Sequence, residues 1–223
     1  MVKAMIHDPQ SLPTGPWSTL LQHAFTILDD LEQHGGISKP FWTLGGGTVL
    51  MLRHQHRRSK DIDIFVPDPQ YLGFVTPRLS DVAANVAQDY VEAAGYVKLI
   101  RSEGEIDFVA AQNLTRQPYE VWSLLGRTVN VETSAEIIAK KLWHRGNAAT
   151  ARDLFDLSLV IQKESAALRE AAPYLTKHRA SFLHQLATRQ HIFELQFDAI
   201  DRLQHRPSFS EAFALAKVFL SQL

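Results

Sequence analysis

An α+β fold in two lobes is what this 223-residue sequence predicts: a mixed β-sheet with flanking helices over residues 1–132, then an all-α C-terminal lobe over 133–223. Three observations carry that prediction. Segments with period-two alternation, among them "DIDIFV", "EIDFVAA" and "RTVNVET", lie before residue 133 and read as strands. Helical spacing of apolar residues takes over after Ser134 and holds almost to the end. The strand-bearing part also contains helical patterns of its own, which places helices against the sheet.

Taken in order, "WSTLLQHAFTILDDLE" from Trp17 to Glu32 has helical spacing, and "HGG" stops it. "FWTL" after Pro40 reads as a short buried strand, followed by a turn of Gly45, Gly46 and Gly47 and a helix resuming at about Thr48. "DIDIFV" alternates, with Ile62, Ile64 and Val66 on one face and Asp61, Asp63 and Phe65 on the other. "SDVAANVAQDYVEAAG" reads as a surface helix closed by Gly95, and "YVKLIRS" with "EIDFVAA" as an antiparallel hairpin around a Glu-Gly turn. "RTVNVET" completes the sheet. Five helices follow: "AEIIAKKLWHR", with Thr133 or Ser134 as its N-cap, "TARDLFDLSLVIQ", "ESAALREAAPYL", a long segment ending near His205, and "SEAFALAKVFLSQL". Phe193, Phe197, Phe213 and Phe219 fall at helical spacings and read as core.

The 23 basic and 24 acidic residues nearly cancel, so any nucleic-acid contact has to come from a local patch. The absence of cysteine excludes disulfide and thiolate chemistry. The N-terminus lacks an apolar core of signal-peptide length, and no run approaches the roughly 18 apolar residues of a membrane span. A cytoplasmic protein with no membrane partner is therefore expected.

The chemistry gathers in "LGGGTVLMLRHQHRRSKDIDIFV", Leu44 to Val66. Asp61 and Asp63 project from one face of a strand, and two acids held so repel unless a cation sits between them. Oxygen-only ligands favour a hard ion such as magnesium, or manganese, whose shell the phosphates of a nucleoside triphosphate would complete. Asp107, alternating with Ile106 and Phe108, completes a three-carboxylate face if its strand lies beside the first, with Glu105 as the competing third acid. Glycines let backbone amides approach phosphate, and a helix starting near Thr48 would aim its N-terminus, and the Thr48 hydroxyl, at the anion. The basic run Arg53, His54, His56, Arg57, Arg58 and Lys60 could neutralise phosphate or meet a polynucleotide backbone. His54 and His56 lack the companions a zinc site needs.

Gly46 and Gly47, a gap, then Asp61-Ile62-Asp63-Ile64 resemble the signature of the nucleotidyltransferase superfamily. More narrowly, "GGTVLMLRHQHRRSKDIDIF" is similar to the AbiEii-type branch, toxins of bacterial abortive-infection and toxin-antitoxin pairs, with Arg57, Ser59, Asp61 and Asp63 matching its pattern. "EIIAKKLWHRGNAATARDLFDL", Glu136 to Leu157, resembles that branch's helical motif of a lysine, then Arg-Asp, then a further Asp. The resemblance implies a nucleotidyltransferase core fold and metal-dependent transfer of a nucleoside monophosphate from a nucleoside triphosphate to an acceptor hydroxyl. It further implies that the acceptor is RNA, the 3′ end of a tRNA, and that a separately encoded antitoxin neutralises the toxin. Asp61, Asp63 and Asp107 would hold the metal, and Asp107 would act as base for the acceptor. Gly46, Gly47, Thr48, Arg57 and Ser59 would bind nucleotide. Lys141, or Lys140 if the register shifts by one, would meet the triphosphate, and Asp153 would orient that lysine or the acceptor. Transfer to a protein or small-molecule acceptor, and a non-catalytic nucleotide-binding or partner-binding module, are the alternatives.

Overall fold

The computed structural model describes residues 6–9, 11–36 and 38–223. The expectation drawn from the N-terminal segment falls partly on residues 1–5 and 10, which lie outside the described residues. The chain divides into two compact units, Met1–Leu52 with Ser59–Asn113 and Tyr119–Glu132, and Arg53–Arg58 with Leu114–Pro118 and Thr133–Leu223. Two short segments, 53–58 and 114–118, thus belong with the helical part, where the sequence suggests a single cut.

The first unit contains α1 (Trp17–His34), β1 (Thr43–Gly45), most of α2 (Gly46–His54), β2 (Ile62–Val66), α3 (Leu72–Val75), α4 (Asp81–Val86), β3 (Asp89–Ala93), β4 (Tyr96–Arg101), β5 (Gly104–Ala110), β6 (Tyr119–Leu124) and β7 (Arg127–Glu132). Its seven strands form one mixed sheet in the order β3-β4-β5-β2-β1-β7-β6. β2 runs parallel to β5 and β1 parallel to β7, while the other pairs are antiparallel. Alternation decides which face is core. Ile62, Ile64 and Val66 of β2, Val97 and Leu99 of β4, and Ile106 and Phe108 of β5 are buried on one side. Leu20, Leu21, Ala24, Ile27, Leu28 and Leu31 supply the apolar stripe of α1, which packs against β2 and β5. Each such large side chain contributes roughly 1.5–3 kcal/mol by leaving water. The opposite face of these strands carries the polar residues described below.

Several elements differ from the sequence reading, among them the short α3, which it did not contain. Helix α2 starts at Gly46 rather than near Thr48, so two of the glycines are its first residues and not a loop before it. Residues 81–95 split into α4 and an edge strand, β3; Ser80 caps a short helix, and Tyr90 and Val91 favour extension beside β4. β6, absent from the sequence reading, is the hairpin partner of β7, and on its outer side His7 bridges to Trp122.

The second unit contains α5 (Ser134–Arg145), α6 (Ala151–Glu170), α7 (Ala172–Leu175), α8 (Arg179–Thr188), α9 (Gln190–Asp198) and α10 (Phe209–Ser221). Thr133 caps α5 by accepting from the Glu136 amide, and Thr150 with Asp153 forms a reciprocal capping box on α6. The two helices expected between residues 150 and 175 are one, α6, with a single non-helical residue, Glu164, followed by the short α7. The long segment ending near His205 is α8 and α9. Phe155, Phe197 and Phe209 pack tilted and edge to face, with ring centroids 5.3 and 5.7 Å apart. Among the described residues no helix is long and apolar enough to cross a membrane.

Candidate active site

The carboxylates of the first unit are set by strand register. β5 pairs with β2 so that Asp107 stands directly opposite Asp63, on the same face and one strand spacing, about 4.8 Å, away at the backbone. On the other side of β2, Gly45 of β1 is opposite Asp63, and beyond β5, Lys98 of β4 is opposite Asp107. One row therefore crosses four strands as Gly45, Asp63, Asp107 and Lys98. Asp61 precedes β2, and its Oδ1 accepts the main-chain N–H of Glu105 at 3.1 Å. The expected pairing of these two strands is thus the one observed.

Lys98 is a charged residue that sequence reasoning missed. Its ammonium donates to Glu105 and lies 3.4 Å from Asp107 Oδ2. Burial disfavours its charge, yet Glu105 and Asp107 together raise its pKa. The signal was present: pairing outward from the Glu-Gly turn puts residue 98 across from 107. Glu105, the competing third acid, is engaged by this lysine.

The glycines have a different task from the one expected. Gly46 adopts φ +71°, and a Cβ there would fall 1.8 Å from Asp63 Oδ2. The missing side chain thus makes room for the Asp63 carboxylate against the first residue of α2, a helix end that favours negative charge. A Cβ on Gly45 would strike the buried Glu132 carboxylate, which accepts from Thr43 Oγ1 at 2.8 Å. Gly47 follows in the first turn, which has no acidic side chain of its own. Thr48 is fully buried and its hydroxyl donates to the Asp61 carbonyl at 2.5 Å, so it fixes the start of β2 rather than presenting an O–H to phosphate. Ser59 is partly exposed, its amide against Met51 Sδ.

The second unit holds a buried ion cluster. Asp156 on α6 accepts Arg57 bidentately, from Nε at 2.7 Å and Nη2 at 2.9 Å, and also His56 Nε2 at 2.9 Å and Lys141 Nζ at 2.9 Å. Lys141 Nζ also donates to Asp153 Oδ1 at 3.0 Å, which Arg145 shares. Burial works against charge on Asp156 and Asp153, but the cations overcome it: Arg57 and Lys141 hold Asp156 well below the usual carboxylate range, and Lys141 and Arg145 lower Asp153. Burial keeps His56 neutral, its pKa lowered. Two expectations change. Arg57 is not presented to nucleotide, because its guanidinium is committed to Asp156, and His56 is equally internal. Of the two candidate lysines, Lys141 meets the Arg-Asp motif, whereas Lys140 lies 3.6 Å from Glu136 on its own helix. A run of basic residues reads as surface in a sequence; the acid that draws two of them inside is a hundred positions away.

The carboxylate row suits a divalent cation. Asp107 Oδ1 is buried with no hydrogen-bond partner among the described residues, and burial together with the nearby Asp63 charge pushes the Asp107 carboxyl up to about 6. Burial and the neighbouring Asp63 thus outweigh the single Lys98 ammonium at Asp107, and no three His, Asp or Glu side chains among the described residues are drawn into a closed metal cluster.

A sign follows. A carboxyl whose folded pKa of about 6 exceeds its ordinary value near 3.8 loses stability as pH rises through that window. Asp107→Asn should remove the loss, leaving the variant about 1–2 kcal/mol more stable than the parent above pH 6, after allowance for partial exposure, and nearly equal to it below pH 4. Millimolar magnesium at pH 7.5 should raise the Tm of the parent and not that of the variant. Thermal denaturation across pH, with and without magnesium, checks both.

A family model described as "Nucleotidyl transferase AbiEii toxin, Type IV TA system" matches residues 31–217. No curated protein matches the chain. Among solved structures, JHP933 from Helicobacter pylori is 16% identical at TM-score 0.51, over 96% of this chain and 95% of that one. A structure of a proposed nucleotidyltransferase from H. pylori is likewise 16% identical at TM-score 0.51, over 95% of this chain and 97% of its own. At that identity the likeness is one of fold.

Proposed function

The chain belongs to the AbiEii family of nucleotidyl transferase toxins and is a nucleotidyltransferase, and from that premise we propose that it moves a nucleoside monophosphate from a nucleoside triphosphate to the 3′ hydroxyl of an RNA such as a tRNA. The observation that supports this reading most is the in-register pair Asp63 and Asp107 on adjacent parallel strands, with Asp61 at the head of the first. The acceptor oxygen attacks the α-phosphorus. A new P–O bond forms as the bond to the α,β-bridging oxygen breaks, pyrophosphate leaves with the electron pair, and the hydroxyl proton passes to Asp107. In the metal-free protein burial and the Asp63 charge push this carboxyl up to about 6, so it is more basic than an ordinary aspartate. Magnesium or manganese held by Asp61, Asp63 and Asp107 would supply positive charge to the phosphate oxygens and acidify the acceptor hydroxyl. The backbone amides of Gly46 and Gly47, in the first turn of α2, suit phosphate. Within the second unit Lys141 has three N–H donors, of which Asp153 and Asp156 take two. The family's type IV toxin-antitoxin description supports a separately encoded antitoxin as the counterpart of this activity.

Incubation with each labelled nucleoside triphosphate, magnesium and total RNA tests the proposal. Label should enter RNA with the parent protein and be lost with Asp61→Ala. Label on protein or small molecules alone would replace the RNA acceptor, and no label on anything would end the transfer reading.

A further inference from the structure

Strands β3 and β4 carry the sheet past Asp107, and the face they share with the carboxylates changes character. Register places Phe65, Val109 and Tyr96 side by side on β2, β5 and β4, one pleat from the row of Asp63, Asp107 and Lys98. Val91 of β3 stands beside Lys98. Tyr96 is 38% exposed and Val91 44%, whereas Val97 and Leu99, on the other face of β4, are buried at 1% and 0%. Alternation has thus put an aromatic ring into solvent on the side where the acids are, on a strand whose other side already supplies the core, with Val91 of the wholly exposed β3 near it.

The position narrows what they serve. Asp107 is the outermost of the three carboxylates and the proposed base, so the hydroxyl it deprotonates approaches from the β4 side of the row. Tyr96 is the diagonal neighbour of Asp107, since Tyr96 pairs with Val109, and such neighbours lie about 7–8 Å apart. That separation fits a nucleotide whose base rests on the ring while its sugar reaches the acid. Single-stranded nucleic acids are held in this way, by bases stacked on exposed aromatic side chains independently of sequence.

Resting on the RNA-acceptor reading above, we propose that Tyr96, with Val91 and Val109 around it, is the platform on which the terminal base of a single-stranded RNA acceptor stacks, delivering its 3′ hydroxyl to Asp107.

Two measurements test it on the full chain, with Tyr96→Ala and Tyr96→Phe as variants. The first is binding of a 5′-fluorescent single-stranded RNA oligonucleotide without nucleotide or magnesium; the second is steady-state transfer with RNA and nucleoside triphosphate varied separately. Tyr96→Ala should weaken RNA binding and raise the KM for RNA by about tenfold or more, the scale of losing one base-aromatic stack. The KM for the triphosphate and kcat at saturating RNA should stay within about twofold, and Tyr96→Phe should behave as the parent. Unchanged RNA binding and KM in Tyr96→Ala would overturn the proposal, as would an equal rise in the KM for triphosphate, which would assign the ring to the other substrate. A parent protein that labels only protein and binds no RNA would overturn it too. If the parent binds RNA through Tyr96 yet labels none, the platform stands and the transfer reading falls.

Discussion

Asp63→Asn is expected to lower nucleotidyl transfer by at least about a thousandfold, the scale on which loss of a fixed charge-stabilising group acts, while the protein stays folded. Asparagine keeps the shape that Gly46 accommodates, so the junction of β1 and α2 is undisturbed. What disappears is the negative charge facing Asp107. The same loss relieves repulsion in the row, so the Tm of the variant should equal or exceed that of the parent. Label transfer to RNA measured beside thermal denaturation checks the pair of outcomes. Retained transfer, or a dead variant that is also markedly less stable, would remove Asp63 from the chemistry.

Asp156→Ala is expected to do the reverse and act on stability. Its carboxylate is fully buried and answers Arg57, His56 and Lys141 together, so truncation leaves two cations without their principal partner. Breaking a buried ion pair from one side costs about 3–5 kcal/mol, and for a chain of this length each kcal/mol moves Tm by roughly 2–4 °C. A fall of about 10 °C or more, or loss of soluble protein, should be seen by calorimetry or circular dichroism. The pH dependence has a definite sign. Because the folded-state pKa is depressed, the contribution is present above the ordinary carboxylate value near 4 and is lost as pH falls from there towards the depressed value. The parent should therefore become acid-labile below about pH 4 and Asp156→Ala should show a shallower slope there. A variant with parental Tm would mean that Arg57 and Lys141 find other partners at little cost.

Much of the carboxylate face was legible because a strand with one buried side writes its faces into the sequence. Ile62, Ile64, Ile106 and Phe108 had to point inward, which sent Asp63 and Asp107 outward together. Where that constraint is absent, the sequence misleads. β3 is exposed on both sides and shows no alternation, so its residues passed for the end of a helix. Thr48 read as a phosphate contact because composition does not show which partner a hydroxyl meets, here the Asp61 carbonyl, nor what fills the space a glycine leaves, here Asp63 beside Gly46. Burial of Arg57 and His56 depends on Asp156, a partner that no local pattern announces.

Residues 53–58 lie in the chain between the glycine-bearing helix and the aspartate strand, yet they are part of the second unit, and two of them answer its buried acid. The gene is therefore less modular than its protein. A recombination event, or an engineer, exchanging the helical part between relatives at residue 132 would separate Asp156 from Arg57 and His56, which it binds. Such a chimaera inherits matched charges only if this six-residue insert, 53–58, is carried over with the helices.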